Sequence, residues 1–337
     1  MEPDGVRVDF EGVITYLSLT KSQASPALGC ASSYGSGGLS MAVGMQAGVL
    51  PDKDRYFRSL LLAPKVAWPT VFVFLLAAGI MVTSWTMALM DRWPLWVGML
   101  ANGFAVYLLF SVAHDGVHRA LSRYPLVNES LSRFALLMML PMAPFEGVRW
   151  LHMQHHRFTN GEADPDGYVH WAPWYLKPIL FASVDVIYSI YFVRQGGDQL
   201  KKHLRPIFIA TVIFAAVLAA LIAAGYGWQV LFLFFLASRV GLFLIAFVFS
   251  YLPHVACDTS AEENEYRATS IRRGFEWLLT PILVYQNYHL IHHLFPTVPF
   301  YRYFKVWYLK YDELAAKDPA IQEAFSMTLT RVAPKAS

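Results

Sequence analysis

Eight of the chain's 11 histidines fall into three short clusters. The stretch Trp150-Leu-His152-Met-Gln-His155-His156-Arg157 has no Gly, Pro or β-branched residue, so it reads as helix. Its imidazoles at i, i+3 and i+4 then share one helical face. The same spacing returns as His289-Leu-Ile-His292-His293, and a two-histidine relative precedes both as His114-Asp-Gly-Val-His118. His254 stands alone near the end of an apolar run and makes a ninth candidate. Neutral imidazole suits first-row metals such as Fe, Cu, Ni and Zn. A tetrahedral zinc ion takes about four ligands, so eight or nine convergent imidazoles are too many for one ion and suit two. A nitrogen-rich pair that must do redox work favours iron. His170 and His203 lie outside the clusters and are expected to be hydrogen-bonded core residues.

Other chemistries fit less well. His114-Asp-Gly-Val-His118 is one acidic residue away from the H-E-x-x-H zinc-protease helix. That reading needs a further ligand and explains neither H-x-x-H-H cluster. Bis-histidine haem binding would place paired histidines within facing membrane helices, whereas these lie beyond the ends of the apolar runs. Cys30 and Cys257 form no C-x-x-C, which argues against a disulfide framework, a rubredoxin-type site or a zinc ribbon.

The elements that must position these side chains are apolar. Hydrophobic residues make up 56% of the chain and charged residues 15%, with mean hydropathy +0.38; a soluble domain carries roughly a quarter charged residues. A net charge of +3 with no basic–aromatic patterning argues against a nucleic-acid partner. Apolar runs at Trp68–Met90, Pro94–Val112, Pro206–Ala224 and Trp228–Leu252 are each close to the ~20 residues that cross a bilayer. Short joints at Asp91-Arg92-Trp93 and Gly225-Tyr-Gly227 make them two antiparallel hairpins. Phe134–Phe145, interrupted by Pro141 and Pro144, is too short to span, and Leu176–Val193 is expected to lie along the interface as one helix. Trp150, Trp171, Trp174 and Tyr175 suit interfacial belts. Between the hairpins lie Arg119, Arg123, Arg133, Arg149, Arg157, Lys177, Arg194, Lys201, Lys202 and Arg205, while the hairpin turns hold only Arg92. By the positive-inside rule both termini and every histidine cluster face the cytoplasm. Arg239, midway along the fourth run, is expected to hydrogen-bond a neighbouring helix, to mark a shifted span boundary, or to line a polar substrate path.

The three clusters and their flanks carry a resemblance. Arg157-Phe-Thr159-Asn160 and Asp164-Pro-Asp166 follow the second cluster, and Asn287-Tyr-His289 and Leu294-Phe-Pro296 frame the third. Over roughly residues 60 to 315 the chain resembles the membrane fatty acid desaturase superfamily, with its three histidine boxes. The resemblance implies an all-α, polytopic membrane protein in which four transmembrane helices, in two hairpins, support a cytoplasmic helical cap carrying a di-iron site. Its implied metal ligands are His114, His118, His152, His155, His156, His254, His289, His292 and His293. Acyl desaturases also have an Asn one turn before the residue matching His254; Ser250 stands there in this chain. Asp115, Glu146, Asp164, Asp166 and Asn287 are candidates to fix the second ring nitrogens, although Asp164-Pro-Asp166 equally fits a turn.

The expected activity is O2-dependent oxidation of an unactivated C–H bond in a lipid acyl chain, foremost desaturation. Carotenoid hydroxylation or ketolation, and 1-alkene-forming fatty acid decarboxylation, are its rivals within the superfamily. A metal- or haem-binding transporter or electron carrier is the non-enzymatic alternative. No fused electron-transfer motif is visible, so a separate ferredoxin, rubredoxin or cytochrome b5-type donor with its reductase is expected. Residues 1–50, rich in Gly, Ser and Ala and without a convincing signal peptide, are expected to be disordered, with Met41 and Met45 as alternative start residues. Residues 51–320 would form the membrane domain and 321–337 a C-terminal tail.

Overall fold

A computed structural model describes residues 52–330. The expected disordered segment 1–50 lies outside the described residues. A short amphipathic helix α1 (Asp52–Leu61) leads into α2 (Trp68–Leu89) and α3 (Leu95–Val117), the first apolar hairpin. At 23 residues α3 is about 35 Å long, enough for a hydrocarbon core of ~30 Å. It runs five residues beyond the apolar stretch, so His114 sits on its last turn and His118 caps it. The first histidine pair is therefore the end of a span.

Next come α4 (Pro125–Met139) and α5 (Phe145–Phe158), separated at the helix-breaking Pro141 and Pro144. The apolar stretch Phe134–Phe145, too short to span, is thus the junction of two helices, the second carrying His152, His155 and His156. Two short helices, α6 (Tyr168–Trp171) and α7 (Lys177–Ala182), precede α8 (Val184–Gln195). The break at Ser183 divides the single helix expected over Leu176–Val193.

The second hairpin joins α9 (Gly197–Ala223) to α10 (Gly227–His254). Helix α9 starts nine residues before the expected boundary and carries Pro206 inside it. Its apolar side chains, such as Phe208, Val212 and Val217, point outward, as a lipid-facing helix requires. Helix α10 contains π-helical turns at Leu231–Leu236 and Ala246–Tyr251. α3 and α10 approach closely because Gly103 and Gly241 face each other: a Cβ on Gly241 would lie 2.9 Å from the Gly103 carbonyl oxygen. Among the described residues four helices have the length and hydropathy to cross a membrane, consistent with an integral membrane protein.

Beyond α10 lie α11 (Ala261–Asn264), β1 (Ser270–Arg273), α12 (Glu276–Ile282), α13 (His289–Leu294), α14 (Tyr303–Leu309), α15 (Tyr311–Ala315), β2 (Ala320–Glu323) and β3 (Leu329–Thr330). The strands add a small sheet to an otherwise helical fold, with β1 parallel to β2 and β2 antiparallel to β3. The segment expected as a tail from residue 321 supplies the central strand, in which Ala320, Ile321 and Gln322 are buried. This sheet braces the end of α10, whose last carbonyls have no helical partner. Ser270 donates to the Pro253 carbonyl at 3.0 Å and Arg272 to that of Leu252 at 3.1 Å. His254 follows directly.

Arg239 is tied across helices. Its guanidinium donates to both carboxylate oxygens of Asp185 on α8, at 2.9 and 2.6 Å, and to the Ala182 carbonyl at 3.0 Å. Removing one member of a paired ion group leaves the other uncompensated. Arg239→Leu is expected to destabilise the protein by about 1–2 kcal/mol, below the fully buried value because 38% of the Arg239 side chain is exposed. The Arg239→Leu/Asp185→Leu double variant should recover part of that loss in thermal unfolding in detergent; a double variant no better than additive would refute the pairing argument.

Candidate metal centre

All nine candidate histidines converge at one end of the spans. His114, His118, His152 and His292 bring donor nitrogens within 4.8 Å of one another, as do His155, His254, His289 and His293. His156 joins His292 and His293 in a third, overlapping group. The first two groups each draw on three elements: α3, α5 and α13, and α5, α10 and α13. The i, i+3, i+4 spacing of boxes two and three explains the division. On α5, His152 serves one group and His155 the other; on α13, His292 and His289 do the same.

Acceptors outside the cage fix the rings. His155 Nδ1 lies 2.9 Å from Asp164 Oδ1 and 3.7 Å from Asp166 Oδ2. Asp164 is itself held by the backbone N–H groups of Asn160 at 2.7 Å and Asp166 at 2.9 Å. His289 Nδ1 meets Gln286 Oε1 at 2.6 Å, His292 Nδ1 meets the Tyr303 hydroxyl at 3.0 Å, and His254 Nδ1 meets Asn160 Oδ1 at 3.2 Å. Asn160 is positioned by donating to the carbonyls of Cys257, Thr259 and Ala268. A ring that donates from Nδ1 presents the Nε2 lone pair on its opposite side.

Those lone pairs point inward with nothing to satisfy them. Nε2 of His114, His118 and His254 is buried without a hydrogen-bond partner. Nε2 of His152 faces that of His156 at 3.1 Å, His289 faces His293 at 3.1 Å, and His156 faces His292 at 2.8 Å. Burial, followed by the neighbouring imidazoles, holds His118, His152, His156, His289, His292 and His293 well below the usual histidine pKa, so these rings are neutral bases. Burial also opposes charge on His155, but Asp164 and Asp166 outweigh it and push its pKa up to about 9. Inward lone pairs, too close to one another for a dry protein interior, fit Lewis-acidic ions: the groups could hold metal.

The remaining candidates lie elsewhere. Asp115 accepts from Thr70 at 2.8 Å and from the Phe300 N–H at 3.3 Å, bracing α3 against α2 and the chain after α13. Glu146 pairs with Arg133 at 2.5 Å instead of a histidine. Asn287 donates to Thr280; the neighbour that meets a histidine is Gln286, three residues before His289. Asn160, Gln286 and Tyr303 were missed as ring partners. Only Asn160 and Gln286 had a local signal, proximity to a box. His203 is a buried, hydrogen-bonded residue as expected, but His170 is exposed and meets Asn160 Oδ1 at 3.1 Å.

A narrow apolar cavity reaches the cage from the span side. Phe110, Leu136, Met139, Leu242 and Phe249 line it, and His114, His152, His155 and His289 form its polar floor. Phe110 and Phe249 pack on His114 with ring centroids 5.8 and 5.4 Å away. Ser250 and Asp185 also reach the cavity, so Arg239 is both a helix tie and the partner of a cavity-lining carboxylate.

The fatty acid desaturase family model matches residues 91–325. A probable fatty acid desaturase from Sorghum bicolor is 25% identical over 258 residues, covering 66% of this chain and 65% of that protein. An sn-1 oleoyl-lipid 12-desaturase from Picosynechococcus sp. is 29% identical over 155 residues, 42% of this chain and 40% of its own length. A beta-carotene ketolase from a Paracoccus species is 28% identical over 204 residues, 58% of this chain and 71% of the ketolase. The chain thus spans less than two thirds of the length of the two desaturases. With the family match extending from the first hairpin's turn to beyond β2 and including every histidine cluster, the chain belongs to the fatty acid desaturase family.

Proposed function

We propose that this protein is an integral-membrane, O2-dependent di-iron oxidase that desaturates an acyl chain of a lipid. The observation that carries the reading is the meeting of two four-imidazole groups with an apolar, span-side cavity. His114, His118, His152 and His292 would hold one iron and His155, His254, His289 and His293 the other, with His156 beside His292 and His293. When bound, the irons supply the oxidising power to break a C–H bond with O2. In the overall balance the chain gives up two hydrogen atoms, an external donor gives two electrons and solvent two protons, and O2 leaves as two waters.

The protein's own groups orient and protect. Asp164 holds the His155 ring by its Nδ1 proton, and Asp166, which accepts from the Tyr188 hydroxyl at 2.6 Å, supports the same edge. Phe110 and Phe249 keep water off the cage on the lipid side. Arginine and lysine between the hairpins support a cytoplasmic cage, where a soluble one-electron donor of ferredoxin, rubredoxin or cytochrome b5 type, kept reduced by its reductase, meets a site fed from the bilayer.

Carotenoid ketolation is the second reading. The three-residue gap between His114 and His118 and the similarity to a beta-carotene ketolase favour it. Mass spectrometry of lipids from cells expressing the protein separates the outcomes. Acyl chains lacking two hydrogens are expected; an oxygen-bearing carotenoid or a terminal alkene would replace desaturation by the corresponding chemistry.

A further inference from the structure

A second pocket, which shares no lining residue with the apolar cavity and opens to solvent, is lined by His156, His293, Arg157, Glu262 and Glu265. We propose that this pocket is the aqueous port through which divalent metal is loaded into the cage, with the Glu262 and Glu265 carboxylates as its first, transient ligands. The inference rests on the metal-centre reading above and goes beyond it.

Two features point to a cation. The first is the overlapping group of His156, His292 and His293, whose donor nitrogens lie within 4.8 Å of one another. It shares His292 with one four-histidine group and His293 with the other, so an ion held there can pass to either. His156 and His293 are only partly buried and reach the pocket, whereas His292 is wholly buried beneath them. The triad therefore spans the step from water to the interior.

The second feature is how the carboxylates are held. Helix α11 is docked over the end of α5 by the Ala261 N–H, which donates to the Thr159 carbonyl at 3.0 Å, and by Asn160, which donates to the Thr259 carbonyl at 3.0 Å. The capping box turns Glu263 back onto Ser260, at 2.9 Å from its N–H and 3.0 Å from its hydroxyl. Glu262 and Glu265 remain along the pocket beside the histidine pair, against a single lining cation, Arg157. The other approach runs through the apolar cavity, where a hydrated dication would lose water without replacement. A carboxylate-edged pocket attracts the ion and replaces its water stepwise.

The test uses full-length protein in detergent, stripped by a chelator, with Co2+ as the probe. Uptake is followed by its d–d absorption and the endpoint by elemental analysis. The Glu262→Gln/Glu265→Gln variant is expected to load ~3–10-fold more slowly at low ionic strength and to reach the same metal content. The difference should shrink at ~1 M salt, where the screening length is ~3 Å. Asp198→Asn, which removes an exposed charge at the start of α9, should load as the unaltered protein does. Equal rates for the double variant and the unaltered protein would overturn the port while leaving the metal centre standing. Failure of the unaltered protein to take up Co2+ would instead remove the metal-centre reading, and the port with it.

Discussion

Replacing His155 by alanine is expected to abolish turnover and to leave the protein holding about one metal ion where the unaltered chain is expected to hold two. His155 is the member of its group with the firmest support, being 2% exposed and bound through Nδ1 to Asp164. Its removal takes one of four donors from the group that includes His254, His289 and His293. It also leaves the buried Asp164 and Asp166 carboxylates without their imidazole. The loss should exceed the ~10–100-fold typical for removal of an orienting partner. Membrane insertion should persist, because His155 lies on α5, outside the four apolar helices. Activity measured with metal content and insertion yield checks this; an inserted variant with normal turnover and metal would exclude His155 as a ligand.

Asp164→Asn should have the next largest effect, a ~10–100-fold loss of metal affinity or activity with the fold retained. The amide keeps the size and one carbonyl acceptor, which in place of Oδ1 still serves the Asp166 N–H and the His155 ring, while the Asn160 N–H loses its acceptor on Oδ2. It removes the negative charge that faces His155 Nδ1 at 2.9 Å. Asp115→Asn is the internal comparison: Asp115 is equally buried but serves Thr70 and the Phe300 N–H, so metal affinity should hardly change. Equal losses of metal affinity in the two variants would refute an orienting role specific to Asp164.

The contrast between these aspartates marks how far the sequence could be read. The four spans and three clusters were legible because hydropathy and i, i+3, i+4 spacing are local properties. The same spacing also accounts for the division of boxes two and three between two metal groups, since residues three or four apart occupy neighbouring but distinct directions on a helix. Helix ends were less legible: α3 and α9 extend past their apolar cores because polar residues such as His114, Asp198 and Lys202 continue the helix into the cap.

Which group meets which ring depended on tertiary docking. Asp115 sits beside His114 in sequence yet turns to α2, and Glu146 is drawn to Arg133. Tyr303 reaches His292 from another helix. The sheet was hidden for the same reason. Strands of four residues carry little pattern, and β1 pairs with β2 across 50 residues, from Ser270 to Ala320. Arg239 joined two expectations that sequence kept apart, because its helix partner Asp185 is also a cavity residue.

The most direct measurement of the central claim is the metal content of the purified protein, determined by elemental analysis together with Mössbauer spectroscopy after growth in iron-57. Two four-imidazole groups predict about two irons per chain, with a signal from a pair of nitrogen-rich sites. One zinc per chain and no iron would contradict the account.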